Sequence, residues 1–325
     1  MNILVVGAAG MIGRKLVERL ARDGTLGGKA IARLDAVDIV APSPPPAPFP
    51  IATDAADIAA SYIAPKLVAS RPDVIFWLAS IVSGEAEADF AKGYAINLDG
   101  TRFLLEAIRA EQALSGGSWK PRLVFTSSIA VFGAPFPEEI GDEFHQTPLT
   151  SYGAQKAICE LLISDYSRRG FLDGVSIRLP TICVRPGKPN KAASGFFSNI
   201  IREPLAGLPA VLPVEDTVRH HHASPRAAVG FLLHAATLDT SVLGGRRALS
   251  MPGVCVTVAE QIEALRRAGG DKAVALIRRE PDETIRRIVQ GWPQRFEAKR
   301  AEALGFRAET NFDDIIRAHL EDEHG

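Results

Sequence analysis

Residues 3–20 read ILVVGAAGMIGRKLVERL, and this stretch decides the fold. The apolar run from Ile3 to Val6 predicts a short strand that stops at Gly7, and residues 14–20 have helical periodicity. Similar strand and helix patterns alternate to about residue 180. Such alternation predicts an α/β fold with a doubly wound parallel sheet.

The glycines between this strand and this helix have the spacing of a phosphate-binding motif. Gly7 permits the tight turn, Gly10 lets the backbone approach a pyrophosphate, and Gly13 allows close packing of the helix. The first turn of the helix, with Met11 and Ile12, offers its free N–H groups to the anion. The motif therefore predicts a dinucleotide site.

Acidic residues after the glycine motif indicate which dinucleotide binds. Asp38 belongs to a second predicted strand, residues 34–40, and lies 25 residues past Gly13, where a carboxylate accepts hydrogen bonds from the adenosine ribose hydroxyls. A carboxylate there would repel a 2′-phosphate, so the sequence predicts NAD as the cofactor over NADP. Asp35 is the competing candidate for this role, and Asp54 is expected at the adenine edge.

The chain changes character after the sixth predicted strand. Residues 185–191 are basic and turn-rich, unlike the alternating pattern before them. We expect a Rossmann domain that binds NAD in residues 1–182, to which residues 216–250 return. Residues 183–215 and 251–325 are expected to form a smaller substrate-binding domain.

Composition limits the class of protein. The 325 residues are 46% hydrophobic with a formal net charge of −1, which argues against nucleic acid or an anionic membrane as the partner. Cys159, Cys183 and Cys255 are an odd number at wide spacing, so we expect reduced thiols in a cytoplasmic protein. The sequence shows no signal peptide, no membrane-spanning run and no metal-ligand spacing.

Residues 151–156, Ser-Tyr-Gly-Ala-Gln-Lys, carry a phenol and an ammonium group four residues apart. The run that follows has helical character, and residues four apart lie on the same face of a helix. The free pKa of tyrosine is about 10, and the cation of Lys156 is expected to lower it. Tyr152 is therefore predicted to accept a proton from a substrate.

Two predicted strands end near this helix in the expected sheet. One ends in Leu78, Ala79 and Ser80, which leave room for a ligand, and the other ends at Ser128. The loop 81–85, which contains Ser83, is expected to overhang the site. A helix is predicted to begin at Asn97.

Four motifs in this order and spacing resemble those of the extended short-chain dehydrogenase/reductase superfamily. They are Gly7-x-x-Gly10-x-x-Gly13, Asn97-x-x-Gly100-Thr101, Thr126-Ser127-Ser128 and Tyr152-x-x-x-Lys156. The resemblance implies that Tyr152 is the acid/base and that Lys156 binds the nicotinamide ribose and acidifies Tyr152. It implies that Ser128 hydrogen-bonds the reacting hydroxyl and that Asn97 belongs to the segment that shapes the site. It also implies a homodimer joined helix to helix.

Two later segments narrow the resemblance. Sugar-nucleotide epimerases usually have Asn and a Gly-Pro pair after the sixth strand and later show Arg-Asp-x-x-His-Val-x-Asp. Here the corresponding places read Pro180-Thr181-Ile182 and, over residues 219–226, RHHHASPR. Segments 81–87, 178–182 and 184–190 instead look like a bacterial branch of NAD-dependent dehydrogenases, which oxidise the C2 hydroxyl of a four-carbon sugar acid.

This resemblance assigns residues to each ligand. Against NAD we expect the glycine motif together with Asp38, Asp54, Leu78, Ala79, Ser80, Tyr152, Lys156 and Pro180. Against the substrate we expect Ser83, Ser128, Tyr152, Thr181 and Arg185. A sugar acid needs a cation to receive its carboxylate, and Arg185, Lys188 and Lys191 are clustered after the sixth strand. An arginine fork suits a carboxylate best, and a solvated basic loop is the alternative interpretation.

Three consecutive histidines, His220, His221 and His222, suggest a metal site at first sight. Consecutive residues of a strand point to opposite faces, so three in a row are not expected to chelate one ion. We expect a structural role, with one ring at most facing the pocket.

The leading hypothesis is an NAD-dependent dehydrogenase of a small sugar acid. The alternatives are a uronate dehydrogenase, a nucleotide-sugar epimerase or dehydratase that keeps its NAD bound, and a non-catalytic NAD-sensing regulator. Intact Ser128, Tyr152 and Lys156 argue against the regulator.

Overall fold

Strand and helix alternate along most of the structure, a computed structural model that describes residues 1–187 and 193–324. The strands are β1 (Asn2–Val6), β2 (Thr25–Leu26), β3 (Lys29–Ala30), β4 (Arg33–Asp38), β5 (Ile51–Ala55), β6 (Val74–Trp77), β7 (Arg122–Ser128), β8 (Asp173–Leu179), β9 (Thr181–Ile182), β10 (Ala210–Leu212), β11 (Arg219–Ala223), β12 (Ala248–Ser250), β13 (Val254–Thr257) and β14 (Ile277–Arg279). The helices are α1 (Met11–Asp23), α2 (Ile63–Val68), α3 (Ser83–Ala88), α4 (Phe90–Gly93), α5 (Gly100–Leu114), α6 (Ser151–Arg168), α7 (Gly195–Leu205), α8 (Pro225–Thr237), α9 (Val258–Val274), α10 (Glu283–Gln290), α11 (Lys299–Ala303) and α12 (Phe312–His324). Residues Tyr94–Asp99 form a π-helix, and Ile129–Val131 and Thr240–Leu243 form 3₁₀ helices. Among the described residues, no helix combines the length and the apolar character needed to cross a bilayer.

The central sheet has seven strands in the order β12-β8-β7-β6-β1-β4-β5. Every pair of neighbours in it is parallel. The chain builds outward from β1 in both directions, so the order of connection reverses between β1 and β6. The doubly wound parallel sheet predicted from the sequence is confirmed. In such sheets, ligands bind outside the carboxyl ends of the strands at this reversal.

Side chains of β1 alternate between the two faces of the sheet, as the pleat requires. Ile3 and Val5 pack into a core with α1 and α8, whereas Leu4 and Val6 pack into a core with α2, α5 and α6. Both faces are therefore covered by helices, and the central strands β1 and β6 are buried along almost their whole length.

A second group of buried residues forms away from the sheet. It includes Cys183 and Phe197 and the apolar faces of α7, α9 and α12. By contrast, Ala298, Ala301 and Phe306 pack beside α1 and α8, in the same core as Ile3 and Val5 of the central sheet. The proposed division into residues 1–182 with 216–250, and residues 183–215 with 251–325, stays a prediction.

The segment that carries Asn97 differs from the expectation. The helix was expected to begin at Asn97, but helical structure begins at α4 and continues through the π-helix into α5 without a break. Asn97 lies inside the π-helix and is 2% exposed. The expectation of a loop over residues 81–85 is wrong in part, because α3 already begins at Ser83.

A buried ion pair joins helix α6 to the edge of the sheet. Glu160, 2% exposed, pairs with the Arg178 guanidinium at 2.8 Å and accepts hydrogen bonds from Ser127 Oγ and Gln146 Nε2. Arg178 also lies 4.9 Å from the ring centroid of Phe132. These contacts fix α6 against the carboxyl ends of β7 and β8, where the predicted site lies.

Candidate active site

A cavity of about 460 Å³ opens at the carboxyl edge of the sheet. Met11, Ile12 and Leu78 line one part of it, and Tyr152, Lys156 and Ser128 also line it. Polar residues of α7 and Trp292, which packs against the second group of buried residues, complete the wall. The structure therefore brings the glycine motif and the Tyr152 helix to one place, as the sequence predicts.

The glycine loop fits a dinucleotide phosphate. Gly7 has a φ of +94°, and a Cβ there would lie 2.5 Å from the amide nitrogen of Ala79. A Cβ at Gly13 would lie 2.0 Å from the carbonyl oxygen of Gly7, so α1 approaches the loop too closely for any side chain. Gly10 caps α1 with no side-chain hydrogen bond, which leaves the N–H groups of the first turn for an anion.

Asp38 lies beside this loop, whereas Asp35 does not. One carboxylate oxygen of Asp38 accepts a hydrogen bond from Ala9 N at 2.9 Å and the other from Ile39 N at 2.7 Å. Asp35 instead pairs with Arg33 within β4. Asp54 lies on the neighbouring β5, exposed to solvent, opposite Val37. Of the two candidates for the ribose, the geometry favours Asp38.

Tyr152 and Lys156 lie on successive turns of α6, which Thr150 caps by accepting a hydrogen bond from Gly153 N. Lys156 is 2% exposed, and its Nζ donates a hydrogen bond to the carbonyl oxygen of Thr126 at 2.8 Å. Nζ lies 5.6 Å from the centroid of the Tyr152 ring. Two residues after Thr126, Ser128 also lines the cavity, so the phenol, the ammonium group and this hydroxyl share one cavity.

The electrostatics of Tyr152 differ from the expectation. Burial raises the pKa of Tyr152 above its ordinary value, although the hydroxyls of Ser128 and Ser80 and the charge of Arg185 act to lower it. The expectation that Lys156 makes Tyr152 acidic is therefore wrong for the protein on its own. Lys156 is itself destabilised as a cation, because burial lowers its pKa to about 8. A further positive charge in the cavity would favour the phenolate.

Asn97 was expected among the catalytic residues, but it lies behind the cavity wall. Its Oδ1 accepts hydrogen bonds from Ser80 Oγ and Ile81 N, both at 2.9 Å, and its Nδ2 donates to Gln155 Oε1 at 2.7 Å. Asn97 thus ties the chain after β6 to α6. This geometry makes it a positioning residue.

Arg185 lines the cavity, and no carboxylate of the described residues pairs with its guanidinium. Its Nε donates to the carbonyl oxygen of Ile182 at 3.1 Å, and a terminal nitrogen donates to Ser194 Oγ at 3.0 Å. Burial lowers its pKa, and among the groups that act on it none is a carboxylate. Arg202 also lines the cavity, but Glu203 pairs with it. A half-buried guanidinium with a free charge is suited to an anionic ligand.

The other residues expected at the substrate lie as follows. Ser83, Pro180 and Thr181 line the cavity, and Thr181 Oγ1 lies 2.7 Å from His220 Nε2. Lys188 and Lys191 lie outside the described residues. Ala79 lies against Gly7 rather than in the cavity wall.

The three histidines separate as strand geometry requires. His220 and His222 pack against Phe197, whereas His221 packs against Phe296 on the other side. Only His220 of the three lines the cavity. In the described part of the chain, no group of three or more His, Cys, Asp or Glu residues could hold a metal ion.

Several cavity residues could not be found from the sequence. They lie on α7 and after α10, and they are Ser198, Asn199, Arg202 and Trp292. No motif marks them, because they reach the cavity through the packing of α7 and the chain after α10 against the second group of buried residues.

The buried charge of Lys156 leads to a prediction about stability. The folded pKa of about 8 lies below the ordinary 10.5, so the unfolded chain binds more protons between these pH values. The destabilisation by the charged side chain is therefore full below pH 8 and fades as the pH rises to 10.5. We expect Lys156→Met to raise the free energy of unfolding by about 1–2 kcal/mol at pH 7, a net value that already subtracts the lost hydrogen bond to Thr126. We also expect the substitution to abolish activity.

Urea unfolding at pH 7 and at pH 10 measures this effect, with the exposed Lys29→Met as the control. The gain of Lys156→Met over the wild type should be smaller at pH 10 than at pH 7. A variant that unfolds at lower urea than the wild type at pH 7 would contradict the account.

Comparison with known proteins agrees with this geometry. Residues 3–221 match the profile of the NAD dependent epimerase/dehydratase family. The chain is 45% identical to a D-erythronate dehydrogenase of Cupriavidus necator, over 99% of this chain and 98% of the relative. It is 39% identical to a D-erythronate dehydrogenase of Haemophilus influenzae, over 99% of each chain.

A solved structure is also similar over the whole chain. The crystal structure of a nucleoside-diphosphate-sugar epimerase from Agrobacterium tumefaciens superposes with a TM-score of 0.97 at 63% identity, covering 100% of this chain and 95% of that one. With the glycine loop, the Tyr152 helix and the full-length relatives in agreement, the chain belongs to the NAD dependent epimerase/dehydratase family.

Proposed function

We propose that the protein oxidises the C2 hydroxyl of D-erythronate, a four-carbon sugar acid, to 2-dehydro-D-erythronate with NAD. The observation that carries this proposal is the cavity itself, where Tyr152 and the cation of Arg185, which has no carboxylate partner among the described residues, lie next to the glycine loop. The two full-length relatives described as D-erythronate dehydrogenases support the choice of substrate.

NAD supplies the hydride acceptor when it is bound. The residues that would hold it are Gly7, Gly10, Met11, Ile12 and Gly13 at the pyrophosphate, Asp38 and Asp54 at the adenosine, and Leu78, Ala79, Ser80, Tyr152, Lys156 and Pro180 near the nicotinamide. The fit rests on the uncapped first turn of α1 and on the Asp38 carboxylate beside the loop. The negative charge of Asp38 disfavours a 2′-phosphate, so we expect NAD to be used over NADP.

The remaining chemistry belongs to the protein. Loss of hydride from C2 requires the proton of the C2 hydroxyl to leave, and Tyr152 Oη is the base that receives it. The Ser128 hydroxyl holds the same oxygen, so that C2 has one orientation during the reaction. Arg185 binds the carboxylate, and its charge also lowers the pKa of Tyr152. Ser83 and Thr181 complete the substrate side of the cavity.

We also propose a homodimer, in accordance with the superfamily resemblance. Phe90 on α4 and Ile158 and Leu161 on α6 are exposed apolar residues on two helices that touch each other. A second copy joined helix to helix would cover them. Sedimentation of the wild type beside Leu161→Glu tests this, and a monomeric wild type at micromolar concentration would reject it.

The three free cysteines accord with a cytoplasmic location, which fractionation of cells would test.

The proposed activity separates from that of an epimerase by a simple assay. The protein is mixed with NAD and a panel of four- to six-carbon aldonates and uronates, and the absorbance of NADH is followed. We expect NADH to accumulate in step with the keto acid, fastest with D-erythronate. An epimerase, as the solved relative is described, would isomerise its substrate with no net NADH, and that result would reject the proposal.

The charge of Arg185, which no carboxylate of the described residues neutralises, leads to a second prediction. A hydrogen-bonded ion pair with a carboxylate contributes about 1.5–3 kcal/mol, so Arg185→Ala should raise the KM for D-erythronate by about 10- to 100-fold. The KM for NAD should change by less than about threefold, because Arg185 lies on the substrate side. Arg185→Lys keeps the charge but loses the forked guanidinium, so its KM for D-erythronate should lie between those of the wild type and Arg185→Ala. Equal increases in both KM values would contradict the assignment.

A further inference from the structure

Thr181 and His220 form a hydrogen-bonded pair in the wall of the cavity, with Thr181 Oγ1 2.7 Å from His220 Nε2. Thr181 belongs to β9 and His220 to β11, and these two strands pair in parallel. The pair is therefore positioned by a sheet, which holds side chains more firmly than a loop does.

The ring of His220 has one orientation. It is 2% exposed and lies parallel to the Phe197 ring, with an angle of 1° between the planes and 5.1 Å between the centroids. The Trp292 ring packs against it at 5.3 Å. Because these neighbours hold the ring, the direction of Nε2 toward Thr181 is fixed.

His220 is a hydrogen-bonding group and does not act as an acid or a base. Burial and the charges of nearby groups, Arg185 among them, lower its pKa to about 3. The imidazole is thus neutral at any pH near 7, and it cannot bind a carboxylate as a cation. The backbone of Pro293 also contacts the ring and acts to raise its pKa, and Nε2 makes the one side-chain hydrogen bond seen among the described residues.

Thr181 keeps unused hydrogen-bonding capacity after this bond. A hydroxyl has one donor and two acceptor sites, and the His220 bond takes one of them. When His220 carries its proton on Nε2, the Thr181 O–H is free to donate, and in the other tautomer the Thr181 oxygen is free to accept. A substrate hydroxyl matches both cases, because it donates and accepts, whereas a carboxylate matches one.

We propose that Thr181 binds a second hydroxyl of the substrate, one that is not oxidised, and that His220 is the positioning residue that orients it. This inference rests on the proposed function and narrows it. The protein selects acids with a hydroxyl at C3 or C4 over their deoxy analogues. An analogue that lacks the hydroxyl leaves one hydrogen-bonding site of the partly buried Thr181 unused, and sites built to bind a substrate hydroxyl discriminate strongly against analogues without it.

The test compares kcat/KM for D-erythronate with the values for its 3-deoxy and 4-deoxy analogues. The wild type should prefer D-erythronate over at least one analogue by about tenfold or more, the value of one hydrogen bond. Thr181→Val keeps the shape and removes the hydroxyl, so this preference should fall to near one. His220→Phe keeps the ring stack and frees the Thr181 rotor, so the preference should fall several-fold, mainly through the KM for D-erythronate.

The matched control is His221→Phe, because His221 is the next residue, is equally buried, and does not line the cavity. It should keep the wild-type preference. The inference is overturned if Thr181→Val keeps the preference, or if His220→Phe slows all three acids in equal proportion. If His220→Phe does not fold, as its melting curve would show, Thr181→Val decides alone. A wild type that reduces NAD with none of the acids overturns the proposed function itself, and this is recognised before any variant is made.

Discussion

The hydrogen bond from Lys156 Nζ to the carbonyl oxygen of Thr126 joins helix α6 to strand β7. Tyr152 lies one turn before Lys156 on the helix, and Ser128 lies two residues after Thr126 on the strand, so this bond sets the distance between them. One turn later, Glu160 is held by Arg178 and Ser127 at the ends of β8 and β7. Three successive turns of α6 are thus fixed to the edge of the sheet where ligands of parallel sheets bind.

The cations near the cavity differ in whether a carboxylate of the protein neutralises them. Arg202 in the wall is neutralised by Glu203, as Arg178, which lies outside the wall, is neutralised by Glu160. Lys156 and Arg185 form no ion pair with a described residue, and burial lowers the pKa of each. Charges kept without partners at a cost in stability are typical of functional sites. In the proposed reaction, one of these two cations acts beside the base and the other receives the carboxylate.

Local spacing explains what the sequence could predict. The glycine motif and the Tyr152–Lys156 pair depend on residues a few positions apart, so their strand, turn and helix follow from the pattern alone. The start of the Asn97 helix was wrong, because α4 is only four residues long and carries no periodic signal. The predicted lowering of the Tyr152 pKa was wrong because this pKa depends on burial, which is a property of the packed cavity. Asn199 and Trp292 reach the site through the packing of α7 and of the chain after α10, and sequence spacing contains no record of such contacts.

The account depends most directly on Tyr152 as the base. Tyr152→Phe removes Oη and leaves the ring, so a rapid-mixing measurement of NADH formation from D-erythronate isolates proton removal from binding. We expect this rate to fall by about 100-fold or more, with NAD affinity within about twofold of the wild type. A Tyr152→Phe variant that forms NADH at the wild-type rate would contradict it.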